Sequence, residues 1–267
     1  RLQNLASRAL PLRSKEGAGR IVFESEDERP DQGLSEHMEW PIRTYVVRAG
    51  RMTEAQKRAI ALYGQDYVIP FTGNQMDLST TFPSKKPVIM EIGFGMGQAS
   101  WQIALSRHEF NYLGAEVHGP GVGKLILELQ AHGITNFKIF QHDALEVLET
   151  MIPEQSLAGF HIFYPDPWPK KRHQKRRLMQ RDHLDLMLSR LKTGGYIYFV
   201  TDIEDYGRST LELLSKTPAL KNLYNGFASG IVWRPETKFE HRAKLQAQKA
   251  QDAQEASKVQ EGRKLEA

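Results

Sequence analysis

Several features are missing from this sequence of 267 residues, and each absence excludes a class of protein. The chain has no cysteine, which excludes a disulfide framework and any metal site built from thiolates. No apolar run approaches the roughly 20 residues that a membrane-spanning helix needs, and no hydrophobic signal core precedes the predicted domain. We therefore expect a soluble, cytoplasmic protein that is long enough to bury a sizeable core.

A strong excess of charge is also missing, since the formal net charge is only +4. The cations are nevertheless clustered, and clustering rather than the total determines affinity for nucleic acid. The nine histidines show no ligand spacing such as H-E-x-x-H, so we expect no metal site. The sequence leaves open whether the protein is a monomer or a homodimer.

Composition divides the chain into three parts. Residues 1–41 are polar and interrupted by glycine and proline, which predicts a mobile N-terminal arm. Residues 42–242 form the predicted domain, which begins with a basic leader at 42–51 and a helix capped by Thr53. Residues 243–267 are rich in Ala, Gln, Lys and Glu, which predicts a frayed helix or a disordered tail.

Apolar strands and helical stretches alternate along the domain. The predicted strands are 88–91, 112–117, 137–141, 159–164 and 196–201. The predicted helices are 98–106, 121–131, 145–151, 181–191 and 204–216. This alternation predicts an α/β fold with a doubly wound, mostly parallel sheet. In such sheets ligands bind beyond the carboxyl ends of the strands.

The first predicted strand ends in an acidic residue and a glycine-rich turn. Glu91 closes the strand, and Gly93, Gly95 and Gly97 follow it. A dinucleotide site spaces its glycines as G-x-G-x-x-G to bind a pyrophosphate, whereas this turn reads G-x-G-x-G. A carboxylate in front of the turn would repel phosphate and attract a cationic amino acid group. The pattern resembles that of S-adenosylmethionine-dependent methyltransferases, whose glycine loop lies under the methionine part of the cofactor.

Each of the five predicted strands has an acid at or just beyond its carboxyl end. These acids are Glu91, Glu116, Asp143, Asp166 and Asp202. A single acid at such a position is more often a helix cap or a solvated loop residue, but five on one edge indicate a site. Glu116 has the spacing of an acid that accepts both ribose hydroxyls, and Asp143 is a candidate acceptor for the adenine amine.

The fourth strand runs into a rigid turn, Pro-Asp-Pro-Trp-Pro at 165–169, and then into a basic run at 170–177. The prolines fix φ and remove backbone donors, so the turn holds Asp166 and Trp168 in place. A basic run alone usually marks a solvated face. Beside a rigid acid and an aromatic residue, it indicates that the cations bind phosphate while the indole and the carboxylate meet a base.

Together these motifs resemble the bacterial type of tRNA (guanine-N7-)-methyltransferase family. The resemblance covers residues 42–242, and its motifs are residues 91–97, 115–118, 141–144, 163–177, 200–202 and 237–240. It implies methylation of guanine N7 in the variable loop of tRNA, with S-adenosyl-L-methionine as cofactor. The cofactor site would comprise Glu91, Gly93, Gly95, Gly97, Glu116, Asp143 and Asp166, with Asp166 also catalytic. The target nucleotide and the RNA would contact Lys170, Arg172, His173, Lys175, Arg176, Arg177, Asp202, Thr237, Lys238, Phe239 and Glu240.

The chain departs from the family after residue 242, where an apolar final strand is usual and a polar tail follows instead. The sheet is therefore expected either to lack its last strand or to close differently. Two alternatives remain open at this point. One is a methyltransferase for DNA or a protein, although residues 165–168 are not the Asp/Asn-Pro-Pro-aromatic turn of amino-group DNA methylases. The other is an RNA-binding module with a degenerate methyltransferase fold.

Overall fold

The computed structural model describes residues 19–26, 42–46, 50–229, 231 and 233–235. The predicted tail at 243–267, the motif at 237–240 and most of the predicted arm lie outside these residues. No helix in the described part of the chain combines the length and apolar character that crossing a bilayer requires.

Within the described residues, seven strands form one sheet. They are β1 (Gly19–Ser25), β2 (Val88–Ile92), β3 (Asn111–Ala115), β4 (Phe137–Phe140), β5 (Leu157–Phe163), β6 (Leu191–Thr201) and β7 (Leu220–Asn222), in the order β4-β3-β2-β5-β6-β1-β7. The five predicted strands are confirmed as β2 to β6, and they pair in parallel. Their residues are almost all buried, because parallel strands are covered on both faces.

Helices cover both faces of the sheet. They are α1 (Glu54–Tyr67), α2 (Leu78–Thr81), α3 (Gln98–Ser106), α4 (Gly119–Ala131), α5 (Ala144–Thr150), α6 (Arg181–Arg190) and α7 (Glu204–Ser215). Side chains of α1, α3 and α4 belong to one buried cluster, and those of α5, α6 and α7 belong to the other. Neighbouring residues of one strand divide between the clusters, as Ile89 and Met90 do, because strand side chains alternate in direction. The predicted doubly wound fold is therefore confirmed.

Strand β1 corrects the predicted mobile arm and shows how the sheet closes. Residues 19–25 belong to the predicted mobile arm, yet they pair antiparallel with β6 and with β7. Ile21 and Phe23 are 0% and 1% exposed, so this part of the arm is core. The sheet therefore closes differently, with a strand from before the predicted domain beside β6. The short apolar run at 21–23 is hard to recognise in the sequence, because acids follow it at positions 24, 26, 27, 28 and 31 and the arm is rich in glycine and proline.

Candidate functional site

The glycine loop after β2 has the backbone that only glycine adopts easily. Gly93, Gly95 and Gly97 have φ values of 73°, 56° and 70°, all in the left-handed region. A Cβ atom on Gly93 or Gly95 would meet nothing within 4 Å, so the outer side of the loop is open. The loop can thus bring main-chain groups close to a ligand. The open space at Gly93 and Gly95 fits a bound cofactor.

Helix α4 supports the same loop from behind, and sequence reasoning did not identify this contact. A Cβ atom on Gly121 would lie 2.0 Å from the carbonyl oxygen of Gly95, so no side chain fits at this position. The glycines at 119, 121 and 123 at the start of α4 are the sequence pattern that indicates a close approach. Any side chain at 121 would push the glycine loop away from the helix.

Glu116 directly follows β3 and braces the loop. Its Oε2 atom accepts a hydrogen bond from the Gly95 amide at 2.7 Å, and its Oε1 atom accepts one from the His118 amide at 2.9 Å. A carboxylate offers about four lone-pair sites, so two remain after these contacts. The side chain is half-buried at the carboxyl edge of the sheet, where a ribose could reach it.

Glu91 lies deeper than its position in the sequence suggested. The residue is 3% exposed, beneath the glycine loop and within β2. Burial raises the pKa of its carboxyl to about 7, against the opposing effects of the nearby Ser100 side chain and the charge of Arg234. The guanidinium of Arg234 lies 4.8 Å from the centre of the Phe163 ring, at the end of β5. The cation that influences Glu91 in the structure is thus a protein side chain.

Asp143 caps a helix and also lies at the carboxyl edge of the sheet, where the sequence predicts the ligand site. Its Oδ1 atom accepts a hydrogen bond from the Leu145 amide at 2.8 Å and thereby caps α5. Desolvation and then the negative charge of Asp143 raise the pKa of Tyr45 in the leader, so this tyrosine lies near the same carboxylate. Asp143 is 9% exposed. Sequence reasoning predicted Asp143 but did not identify Tyr45.

The turn after β5 is strained and firmly held. Tyr164 and Trp168 have φ values of 52° and 43°, which cost non-glycine residues roughly 1–3 kcal/mol each. The indole Nε1 of Trp168 donates to the Thr44 carbonyl at 3.0 Å, and the guanidinium Nε of Arg177 donates to the Pro167 carbonyl at 2.9 Å. Asp166 directly precedes these two anchored residues and is exposed. The turn therefore presents one carboxylate in a fixed position.

The basic run forms the 3-10 helix Lys171–Arg176, and its cations do not share one environment. Lys170, Lys171, Arg172 and Lys175 are exposed, so they are available to phosphates. The Arg176 guanidinium lies 4.6 Å from the centre of the Trp168 indole. His173 packs edge to face against the same ring, and desolvation followed by the neighbouring cations lowers its pKa.

Arg177 differs from the rest of the run because it points into the protein. Its side chain is 5% exposed and forms an ion pair with Asp205 at 2.6 Å. Its guanidinium also lies 4.7 Å from the centre of the Tyr206 ring. A guanidinium occupied in this way is not presented to phosphates. The predicted RNA contact at Arg177 is therefore replaced by a structural role, in which this residue attaches the basic helix to α7.

Asp202 is the last of the predicted strand-end acids. It follows β6 directly and is exposed. Because β5 and β6 are parallel neighbours, their carboxyl ends bring Asp202 to the same edge as Asp166. Thr237, Lys238, Phe239 and Glu240 lie outside the described residues, so their predicted contacts stay predictions.

The fold and this edge define a methyltransferase, and comparison with known proteins agrees. A family model described as "Putative methyltransferase" matches residues 85–253. The proteins named tRNA (guanine-N(7)-)-methyltransferase in Nitrosospira multiformis and Paraburkholderia xenovorans are each 47% identical, over 76% and 75% of this chain and 88% and 77% of theirs. The protein of that name in Neisseria meningitidis serogroup C is 44% identical, over 82% of this chain and 92% of its own. The chain belongs to the tRNA (guanine-N7-)-methyltransferase family.

Proposed function

We propose that this protein transfers a methyl group to N7 of the guanine in the variable loop of tRNA. S-adenosyl-L-methionine, bound at the glycine loop, would supply an electrophilic methyl group. The observation that carries the proposal is the strained turn after β5, which presents Asp166 at the edge where the glycine loop and Glu116 also lie. Strain of this kind concentrates at functional sites, where a fixed geometry matters.

The cofactor contacts follow from the strand order. Gly93 and Gly95 would lie under the methionine part, because the loop is open on its outer side. Glu116 would accept the ribose hydroxyls through its remaining lone pairs, and Asp143 would accept the adenine amine. Glu91 would stabilise this arrangement from below, within β2.

The chemistry requires no general base. Guanine N7 carries a lone pair and no proton, so the protein needs only to align N7 with the methyl group and its leaving sulfur. Positive charge develops on the purine as the methyl group arrives. Asp166 would accept hydrogen bonds from the N1–H and N2–H edge of guanine and stabilise that charge through its fixed geometry.

The RNA would bind on the exposed cations beside this turn. Lys170, Lys171, Arg172 and Lys175 can follow the phosphates that flank the target base. Trp168 has another role than base stacking in this proposal, because its indole already contacts Thr44 and Arg176. We further propose that the protein acts in the cytoplasm, as a monomer or a homodimer, on tRNA lacking this modification.

Labelled methyl transfer tests the proposal directly. The full chain is incubated with tritiated S-adenosyl-L-methionine and bulk tRNA that lacks the modification, and the labelled nucleoside is identified after digestion. We expect 7-methylguanosine, and we expect Asp166→Asn to reduce its formation strongly. DNA and protein substrates in the same assay address the alternative methyltransferase. Binding of tRNA with neither calorimetric cofactor binding nor methyl transfer would instead favour a degenerate RNA-binding module.

A further inference from the structure

Two consecutive side chains at the end of β5 belong to the same hydrophobic cluster. Neighbouring side chains of a strand normally alternate between its faces, and Ile162 and Phe163 do so, since they belong to opposite clusters. Tyr164 breaks the alternation, because it packs against the same cluster as Phe163. Its φ of 52° lies in the left-handed region. The left-handed residue therefore brings both rings to one face of the sheet.

Arg234 contacts both of these rings. Its guanidinium carbon lies 4.8 Å from the centre of the Phe163 ring and 5.5 Å from the centre of the Tyr164 ring. Within about 6 Å a cation is attracted to the face of an aromatic ring, most strongly where water is excluded. Arg234 is 5% exposed, so both contacts are made inside the protein. One buried guanidinium thus holds the two residues that lead into the turn after β5.

The segment that carries Arg234 is itself anchored to the sheet. The Trp233 ring lies 5.3 Å from the imidazole of His161 on β5 and 5.2 Å from the ring of Tyr198 on β6. The Arg107 guanidinium lies 4.5 Å from the centre of the same indole. Arg234 therefore has a fixed position against which the turn can be held.

The turn needs contacts of this kind at both of its ends. Strained backbone persists only where the surrounding structure holds it, and both Tyr164 and Trp168 are strained. The Trp168 indole is held at the exit of the turn. At the entrance the Tyr164 amide donates to the Val200 carbonyl at 2.8 Å, and the Tyr164 ring meets Arg234. Asp166 lies midway between the two strained residues in the sequence, so its position depends on both ends.

We propose that Arg234 is a positioning residue, which clamps the entrance of the turn at 163–164 and thereby fixes Asp166. This inference rests on the proposed function for the role of Asp166, but not for the clamp itself. Without the guanidinium, Tyr164 would relax towards an ordinary φ, and Asp166 would occupy its reactive position only part of the time. Arg234 also precedes the predicted target motif at 237–240 by three residues in the sequence.

Methyl transfer by the full chain, at saturating cofactor and tRNA, tests the positioning role. Arg234→Met removes the cation and keeps much of the bulk. Because a left-handed φ disfavours such a turn roughly five- to a hundredfold, kcat per cofactor-binding site should fall about tenfold. Calorimetric stoichiometry with S-adenosyl-L-methionine counts those sites, which removes unfolded protein from the comparison. Arg234→Lys should keep more of the rate, because an ammonium group is also attracted to ring faces. If Asp166→Asn loses activity while Arg234→Met keeps the rate of the parent, the positioning role is overturned.

Arg190→Met is the matched control for a general loss of stability. Arg190 is also 5% exposed, and its guanidinium donates to the carbonyls of Leu148 and Glu149 at 2.8 Å and 3.1 Å. It directly precedes β6, at the opposite edge of the sheet from the turn. Arg190→Met should lower the free energy of unfolding but leave kcat per site unchanged. An equal loss of kcat in both variants would mean that Arg234 acts only through stability.

A substitution at the strained residue tests whether Arg234 acts through it. Glycine adopts a positive φ without strain and has no ring for the guanidinium to hold. Arg234→Met should therefore reduce kcat by a smaller factor in a Tyr164→Gly background than in the parent. The same factor in both backgrounds would contradict the clamp.

Hydrogen exchange reports on the turn without any reaction. Because the Tyr164 amide bonds to the Val200 carbonyl, its exchange follows the opening of the entrance. A peptide that covers residues 163–168 should exchange faster in Arg234→Met than in the parent, and at the parent's rate in Arg190→Met at times short of global unfolding. Unchanged exchange in Arg234→Met overturns the clamp, whatever the role of Asp166. Faster exchange, together with full methylation by Asp166→Asn, would support the clamp and overturn the proposed role of Asp166.

Discussion

Replacing Glu91 by glutamine should stabilise the protein, and the gain should depend on pH. The folded pKa of Glu91 is about 7, above its ordinary value of 4.5, chiefly because the carboxyl is buried. Between these two values the native state retains a proton that the unfolded state has released. The free energy of unfolding therefore falls as pH rises through this window, and the loss is complete above about pH 7.

The size of the effect follows from the same two values. Each pKa unit corresponds to about 1.4 kcal/mol, so the rise from 4.5 to about 7 corresponds to about 3 kcal/mol. Glutamine is isosteric with the protonated acid and does not ionise. Glu91→Gln should thus be more stable than the parent by only about 1 kcal/mol near pH 5. The variant should be more stable by up to about 3 kcal/mol near pH 8.

Urea unfolding at several pH values measures this difference. The free energy of unfolding is obtained by linear extrapolation for both proteins, without cofactor, at intervals from about pH 5 to pH 8. Glu204→Gln is a suitable control, since its ion pair with Arg208 is exposed on both sides and such pairs contribute about 1 kcal/mol or less. A difference between Glu91→Gln and the parent that does not change with pH would refute the reasoning.

The remaining predictions concern binding and catalysis. Asp166→Ala should lower turnover about a hundredfold or more with an unchanged circular dichroism spectrum, and a pH–rate profile with a histidine-like midpoint would contradict the base-free mechanism. Glu116→Ala should weaken calorimetric cofactor affinity about ten- to a hundredfold, because it loses charge-assisted bonds. Replacing Arg172 and Lys175 by alanine should reduce the salt slope of tRNA binding by about two units, with cofactor affinity unchanged as the control. Arg177→Met should instead lower the free energy of unfolding by about 2 kcal/mol, measured in urea. If this variant is as stable as the parent but shows a smaller salt slope of tRNA binding, Arg177 contacts RNA after all.

The parts of the fold that the sequence predicted correctly depend on local chemistry. The strand and glycine turn at 88–97 are specified within ten residues, by an apolar run and by positions that need positive φ. Prolines fix the turn at 165–169 just as locally. Such features can be predicted from the sequence because their conformation does not depend on distant residues.

The parts that sequence reasoning missed depend on distant partners. Arg177 looks the same as Arg176 in a basic run, and only its packing on Asp205 and Tyr206 distinguishes them. Strand β1 looks like part of the arm because it is recognised as a strand only by its pairing with β6, which is remote in the chain. The contact of the Trp168 indole with the Thr44 carbonyl likewise joins segments that nothing in the sequence links.

The antiparallel pairing of β1 has a consequence for synthesis of the protein. Gly19 pairs with Thr201, so about 180 residues separate the two partners along the chain. At about 5–20 residues per second, the ribosome needs roughly 10–35 seconds to make the strand that β1 will join. During that interval the apolar run at 21–23 has no sheet partner in β6 or β7. The nascent chain should therefore depend on chaperones most strongly in this window, until β6 emerges and covers the run.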